Sequence, residues 1–136
     1  MSDLIDPREI APVAPEMFVP DVAEAVRFYT EILGFNLYRM EQGDGQALFA
    51  IITLDRAVVM FAHESLYTAM GGSVSAQRGV GIDVRIMLQD VDEMYRRCRE
   101  NGVTVVHDIA DRYYGLRDFV IADVNGFRLR FASALR

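Results

Sequence analysis

Tyr113-Tyr114-Gly115-Leu116-Arg117-Asp118-Phe119-Val120-Ile121-Ala122-Asp123-Val124-Asn125-Gly126-Phe127-Arg128-Leu129-Arg130-Phe131 reads as two strands joined by a tight turn. Leu116 to Ala122 is rich in β-branched and aromatic residues, and Asp123-Val124-Asn125-Gly126 carries an Asn-Gly turn signal. Side chains alternate across a strand, so Leu129 and Phe131 share one face and Arg128 and Arg130 the other. A hairpin that buries one side and holds arginines on the second implies a sheet with an apolar back and a working front.

The remainder of the chain bounds what that front can do. At 136 residues the protein is one domain, or two small halves sharing a core. Fourteen basic against twenty acidic residues give a net charge of -6, which argues against nucleic-acid and anionic-membrane partners. One cysteine, Cys98, excludes an internal disulfide framework and fits a reducing compartment. No leader pattern opens the sequence, and no apolar run approaches the ~20 residues of a membrane span. A soluble, cytoplasmic protein is expected.

Outward from the hairpin, the same signals occur twice. Residues 1–13 have little periodicity and read as a tail. Residues 14–19 form a short strand, and Asp21 then caps a helix with Glu24 three positions on, the spacing of a capping box. Val22, Ala25, Val26, Tyr29 and Leu33 make one helical stripe, and Gly34 supplies the stop. Strands over 35–40, 47–54 and 57–62 follow. In the second half a strand over 82–88 precedes Asp90, again with an acidic residue, Glu93, three positions later. Val91, Met94, Tyr95 and Cys98 form the stripe, Gly102 the stop, and strands over 103–107, 116–122 and 127–132 complete the set. Matching cap, stripe and stop signals imply a repeat. The predicted class is α+β: a βαβββ module over 14–62, a Gly- and Ser-rich, mobile linker over 63–81, and a second βαβββ module over 82–136.

Val19-Pro20-Asp21-Val22-Ala23-Glu24-Ala25-Val26-Arg27-Phe28-Tyr29-Thr30-Glu31-Ile32-Leu33-Gly34-Phe35 resembles the opening of the vicinal oxygen chelate superfamily, in its glyoxalase/bleomycin-resistance branch. Tyr114 to Phe119 and Asp123 to Gly126 are similar to that family's closing motif, with Val-Asn in place of the commoner Pro-Asp. The resemblance covers residues 14–132. It implies two curled mixed sheets around a pocket, a homodimer in which modules of two chains often share a pocket, and, in the family's enzymes, a divalent metal held by four side chains. Counted from the capping aspartates, those metal positions fall on Ala14 and Asp83, and on the last strands of each module on Met60 and Arg130. Alanine has no donor atom, a thioether is too soft for hard cations, and a guanidinium repels them. Asp83 alone does not make a site that needs about three protein ligands. No metal and no other cofactor are expected.

Alternation places Ala14, Glu16 and Phe18 on the front beside Asp83, Arg85 and Met87, joined by Val58 and Met60, and by Arg128 and Arg130. The candidate ligand-binding set is Glu16, Phe18, Met60, Asp83, Arg85, Tyr114 and Arg130. Two readings stay open for its charges: Glu16, Asp83, Arg85 and Arg130 pair among themselves, or one arginine remains to clamp a carboxylate or other anion. Arg117 and Asp118 are expected to order their loop by local pairing. Tyr67 and Met70 fit either a lid or plain packing. His63 and His107 fit surface or capping roles, and Cys98 a buried apolar position. A metal-independent small-molecule-binding protein is the expected function, for an amphipathic or aromatic ligand. The alternatives are a lyase-, isomerase- or dioxygenase-like enzyme that uses Glu16 or Asp83 as acid or base, and an accessory dimerisation domain without a ligand. No catalytic residue is assigned.

Overall fold

Asp21 and Asp90 accept the amides of Glu24 and Glu93, each at 3.0 Å, so both expected caps start helices in the computed structural model, which describes residues 11–74 and 77–136. The first helix, α1 (Val22–Arg27), continues as a π-helical turn over Phe28–Ile32, and the third, α3, spans Val91–Glu100. Both expected stops, Gly34 and Gly102, take positive φ, 83° and 67°. The stripes face inward. Val22, Ala25, Val26, Tyr29 and Leu33 are buried, as are Val91, Met94 and Cys98, while Tyr95 sits partly exposed against the edge of the Phe119 ring.

Around each helix lie four strands. β1 (Glu16–Val19), β2 (Asn36–Gly43), β3 (Gln46–Leu54) and β4 (Ala57–His63) form one sheet in the order β1-β4-β3-β2. β5 (Val84–Met87), β6 (Thr104–Asp111), β7 (Leu116–Ala122) and β8 (Arg128–Ala134) form the other, ordered β5-β8-β7-β6. In both, the first strand runs parallel to the fourth and the other pairs are antiparallel. These are two open, mixed sheets built as βαβββ units. The opening strands start two residues later than expected, at Glu16 and Val84, and β6 runs on to Asp111 because bulges between Val105 and Ala110 let it follow β7 further.

The connector over 63–81 differs more. It begins with a helix, α2 (Glu64–Ala69), that no apolar stripe announced, since none of its residues is buried. His63 caps it: its Nδ1 accepts the Ser65 amide at 3.2 Å. Tyr67 of α2 packs its ring on Phe18, with centroids 4.6 Å apart. Beyond, a Cβ on Gly79 would meet the Gly126 carbonyl at 2.7 Å, so only glycine lets this segment cross the β7–β8 turn so closely. Most of the tail expected over 1–13 lies outside the described residues.

One hydrophobic core joins the halves, running from Met17, Tyr29 and Phe61 to Ile86, Cys98, Phe119 and Phe131. Burial pushes the Cys98 thiol up to about 11, which suits a packing role. Across this core the Tyr29 hydroxyl donates to Asp123 Oδ2 at 2.6 Å, while Asp123 Oδ1 accepts the amides of Asn125 and Phe127 at 2.8 and 2.9 Å. The turn aspartate therefore folds its own turn and anchors the opposite helix. Burial raises the Asp123 carboxyl, against the pull of Tyr29 and the turn amides. Burial, and then the Asp123 charge, raises Tyr29 well above the usual phenol range.

Tyr29→Phe should cost about 1–3 kcal/mol in urea unfolding at neutral pH, with an unchanged m-value. A phenol raised by folding stabilises fully below its unfolded pKa of about 10, and that stability is lost as pH rises towards the folded value. The variant should therefore lose stability less steeply than the parent above pH ~10. Equal alkaline slopes would show that the bond contributes nothing.

Candidate functional site

The second sheet turns its alternation into a charged front. Leu129 and Phe131 are fully buried on the back, as expected, and Arg128 and Arg130 emerge on the front. Asp83, one residue before β5, takes the Arg128 Nε–H at 2.5 Å and an Arg130 terminal N–H at 3.1 Å. Arg130 donates from its other terminal nitrogen to Asp118 Oδ2 at 3.3 Å. Asp118 has no accessible surface; it also accepts Arg112 Nε–H at 2.8 Å and the Tyr114 hydroxyl at 2.5 Å.

The protonation states follow from these contacts. The Arg128 hydrogen bond, aided by Arg130, holds the Asp83 carboxyl below the usual carboxylate range despite partial burial. For Asp118, burial pushes upward, but the hydrogen bonds from Tyr114 and Arg112 and the field of Arg130 prevail and lower it. Both stay ionised at neutral pH. Arg117 faces away, bonded to Asp92 and Asp111 at 3.0 Å. Asp118 and Arg117 thus belong to separate networks, and Asp118 orders more than its loop, since it also positions Arg130.

The candidate residues do not all meet. Asp83, Arg130 and Tyr114 join through Asp83 and Asp118, and Arg85 stands beside Arg130 as its register partner on β5. Glu16, Phe18 and Met60 lie on the other sheet, where Glu16 is the register partner of Met60 and Phe18 is partly covered by Tyr67. Among the described residues no hydrogen bond, ion pair or ring contact connects the two sets. The four-charge pairing therefore forms only in part: Asp83 pairs with Arg130 and Arg128, while Glu16 and Arg85 stay outside it. Asp118 and Arg112 were missed as site residues. The place of Asp118 on the front face of β7 was readable from alternation, but the arrival of Arg112 from the preceding loop was not.

A cavity of about 670 Å³ adjoins the network, between the segment after α2 and the front of the sheet. Asp83 and Arg128 form its charged wall, and Ile82, Val106 and Ala122 an apolar one. The cavity thus offers an ion pair at one side and hydrocarbon at the other.

The model of the Glyoxalase/Bleomycin resistance protein/Dioxygenase superfamily matches residues 10–131. An uncharacterized protein of Mycobacterium bovis is 26% identical over 127 residues, covering 91% of this chain and 84% of its own length. Among solved structures, TioX from Micromonospora superposes with a TM-score of 0.72 at 22% identity, covering 93% of this chain and 98% of its own. A superfamily member from Sphaerobacter thermophilus gives 0.71 at 24% identity, covering 91% and 98%. These likenesses show the same fold.

Asp118→Asn strips the charge that two arginines and Tyr114 converge on. Urea unfolding at pH 7 should show a loss of about 2–4 kcal/mol. Carboxyls lowered by folding stabilise fully above their unfolded pKa, about 3.9, and lose that contribution as pH falls through the folded value. The variant should therefore lose stability less steeply than the parent below pH ~4. Unchanged stability at pH 7 would show the network to be superficial.

Proposed function

Because the chain belongs to the Glyoxalase/Bleomycin resistance protein/Dioxygenase superfamily, we propose that it is a metal-independent small-molecule-binding protein acting as a cytoplasmic homodimer. Its ligand, amphipathic or aromatic, lies on the open front of the second sheet, beside Asp83 and Arg130. Arg130 carries this reading. At a position where the family's enzymes place a metal ligand, it presents a permanent cation already bonded to both Asp83 and Asp118.

The residues do not fit a divalent metal. Asp83 spends its oxygens on Arg128 and Arg130, Met60 offers a thioether, Ala14 offers nothing, and a guanidinium sits where the positive ion would be. No three His, Cys, Asp or Glu side chains cluster among the described residues. Proton transfer by Asp83 is also disfavoured, because its arginines make it a weaker base than an ordinary carboxylate.

Assembly is supported by the first sheet, whose front carries the partly exposed apolar side chains of Phe18, Val58 and Met60. A second copy would cover that apolar front, and pairing the first sheet of one chain with the second sheet of another would enclose the ligand.

Elemental analysis of protein purified without chelator should find no stoichiometric transition metal, and a chelator should leave the melting temperature unchanged. About one zinc, nickel or iron per chain would overturn metal independence. Light scattering at micromolar concentration should report twice the chain mass of 15.4 kDa. A monomer there would remove the dimer.

A further inference from the structure

Arg85 and Arg130 are register partners on the parallel pair β5 and β8, on strands about 4.8 Å apart. Like charges on neighbouring strands repel, and such pairs destabilise a sheet unless something lies between them. Arg130 is fixed, with one terminal nitrogen on Asp83 and the other on Asp118, yet 26% of its side chain remains accessible. Arg85 is exposed and makes no ion pair or hydrogen bond among the described residues. The free guanidinium on this face is therefore Arg85, and Arg130 is the held one.

Counting the face gives the sign of what it lacks. Arg85, Arg112, Arg128 and Arg130 stand against Asp83 and Asp118, four guanidiniums to two carboxylates. If Glu16 of a second copy faced this sheet front, one positive charge would still be in excess. The apolar surface beside the arginines is that of Met87, two positions after Arg85 on the same face of β5 and 46% exposed, while Val120 and Ala132 beneath are fully covered. At the rim, Tyr114 is held by Asp118 and meets the fully exposed Tyr113 ring edge-on at 5.2 Å.

Resting on the reading that this face holds a ligand, the geometry points to a carboxylate clamp, in which Arg85 and Arg130 receive the carboxylate of a planar, apolar acid. Two coplanar oxygens bridge two guanidinium forks on adjacent strands, and one negative charge relieves their repulsion. The hydrocarbon body then lies over Met87 towards Tyr114. A free phosphate satisfies the charge but leaves the exposed surface of Met87 and Tyr114 unused, so a monoanionic aromatic or aliphatic acid fits better.

Naphthoate and its neutral amide, naphthamide, separate charge from shape. Titration of the full chain should show naphthoate binding at least about tenfold more tightly than naphthamide. Arg85→Met should abolish that preference; because Arg85 holds no partner, the variant should fold as the parent does. Arg130→Met should act likewise, and Arg117→Met, which alters an arginine paired outside this face, should leave the preference intact. Equal affinity of acid and amide for the parent would overturn the clamp while leaving small-molecule binding standing. Binding of neither would overturn both. Retained preference in Arg85→Met, or displacement of naphthoate by an equal concentration of inorganic phosphate, would overturn the assignment to Arg85 or to the carboxylate class.

Discussion

The bond from Tyr29 to Asp123 is what makes two similar halves one molecule. Each half is a four-stranded sheet with a single helix on its back, too small to bury that back alone. Tyr29 lies in the centre of the shared core, its ring edge-on to Phe35 and Phe61 at 5.3 and 4.9 Å. Its hydroxyl cannot reach water there, so it needs an acceptor, and Asp123 provides one from the far half. The acceptor is itself fixed by the turn it closes. The position of β8, and with it of Arg128 and Arg130, is thus tied to a residue of the first helix. That coupling links the core to the charged front.

The front has the opposite logic. On the back of β8, Leu129 and Phe131 are satisfied by contact with any apolar neighbour. On the front, each guanidinium needs directional acceptors, and a carboxylate buried without cations would cost several kcal/mol. Asp118 is tolerable at zero exposure only because Arg112, Arg130 and Tyr114 all converge on it. Removing one member leaves the others uncompensated. The network behaves as a unit, and its energy is not a sum of pairs.

How much of this the sequence discloses depends on the range of each interaction. Caps, stripes, stops and strand faces are local: Asp21 with Glu24, Asp90 with Glu93, and the alternation of Arg128 to Phe131 all appear as read. The bond between Tyr29 and Asp123 spans 94 positions, and neither residue signals it, since tyrosine on a stripe and aspartate in a turn are each explained without the other. Helix α2 escaped because its rule is capping by His63 on an exposed segment, with no buried face to reveal it. In the candidate site, the face of Arg85 and Arg130 was legible from the period of two. Which of them stays unpaired was not, because that depends on where Asp83 and Asp118 end up in space.

Net charge and local charge point in different directions here, and distance decides between them. The chain as a whole carries -6, which by itself repels an anion. At physiological salt, however, exposed charges are screened beyond about 8 Å, so the remote carboxylates contribute little at the second sheet. Within that radius an anion meets Arg85, with Arg130 beside it. The aspartates nearest by, Asp83 and Asp118, have their charge already taken up by Arg128, Arg130 and Arg112. The net acidity of the whole chain therefore does not by itself exclude a small acid from this face. A guanidinium also stays charged at every pH a cell presents. Any pH dependence of anion capture at this face would therefore come from the anion's own ionisation and not from titration of its arginines.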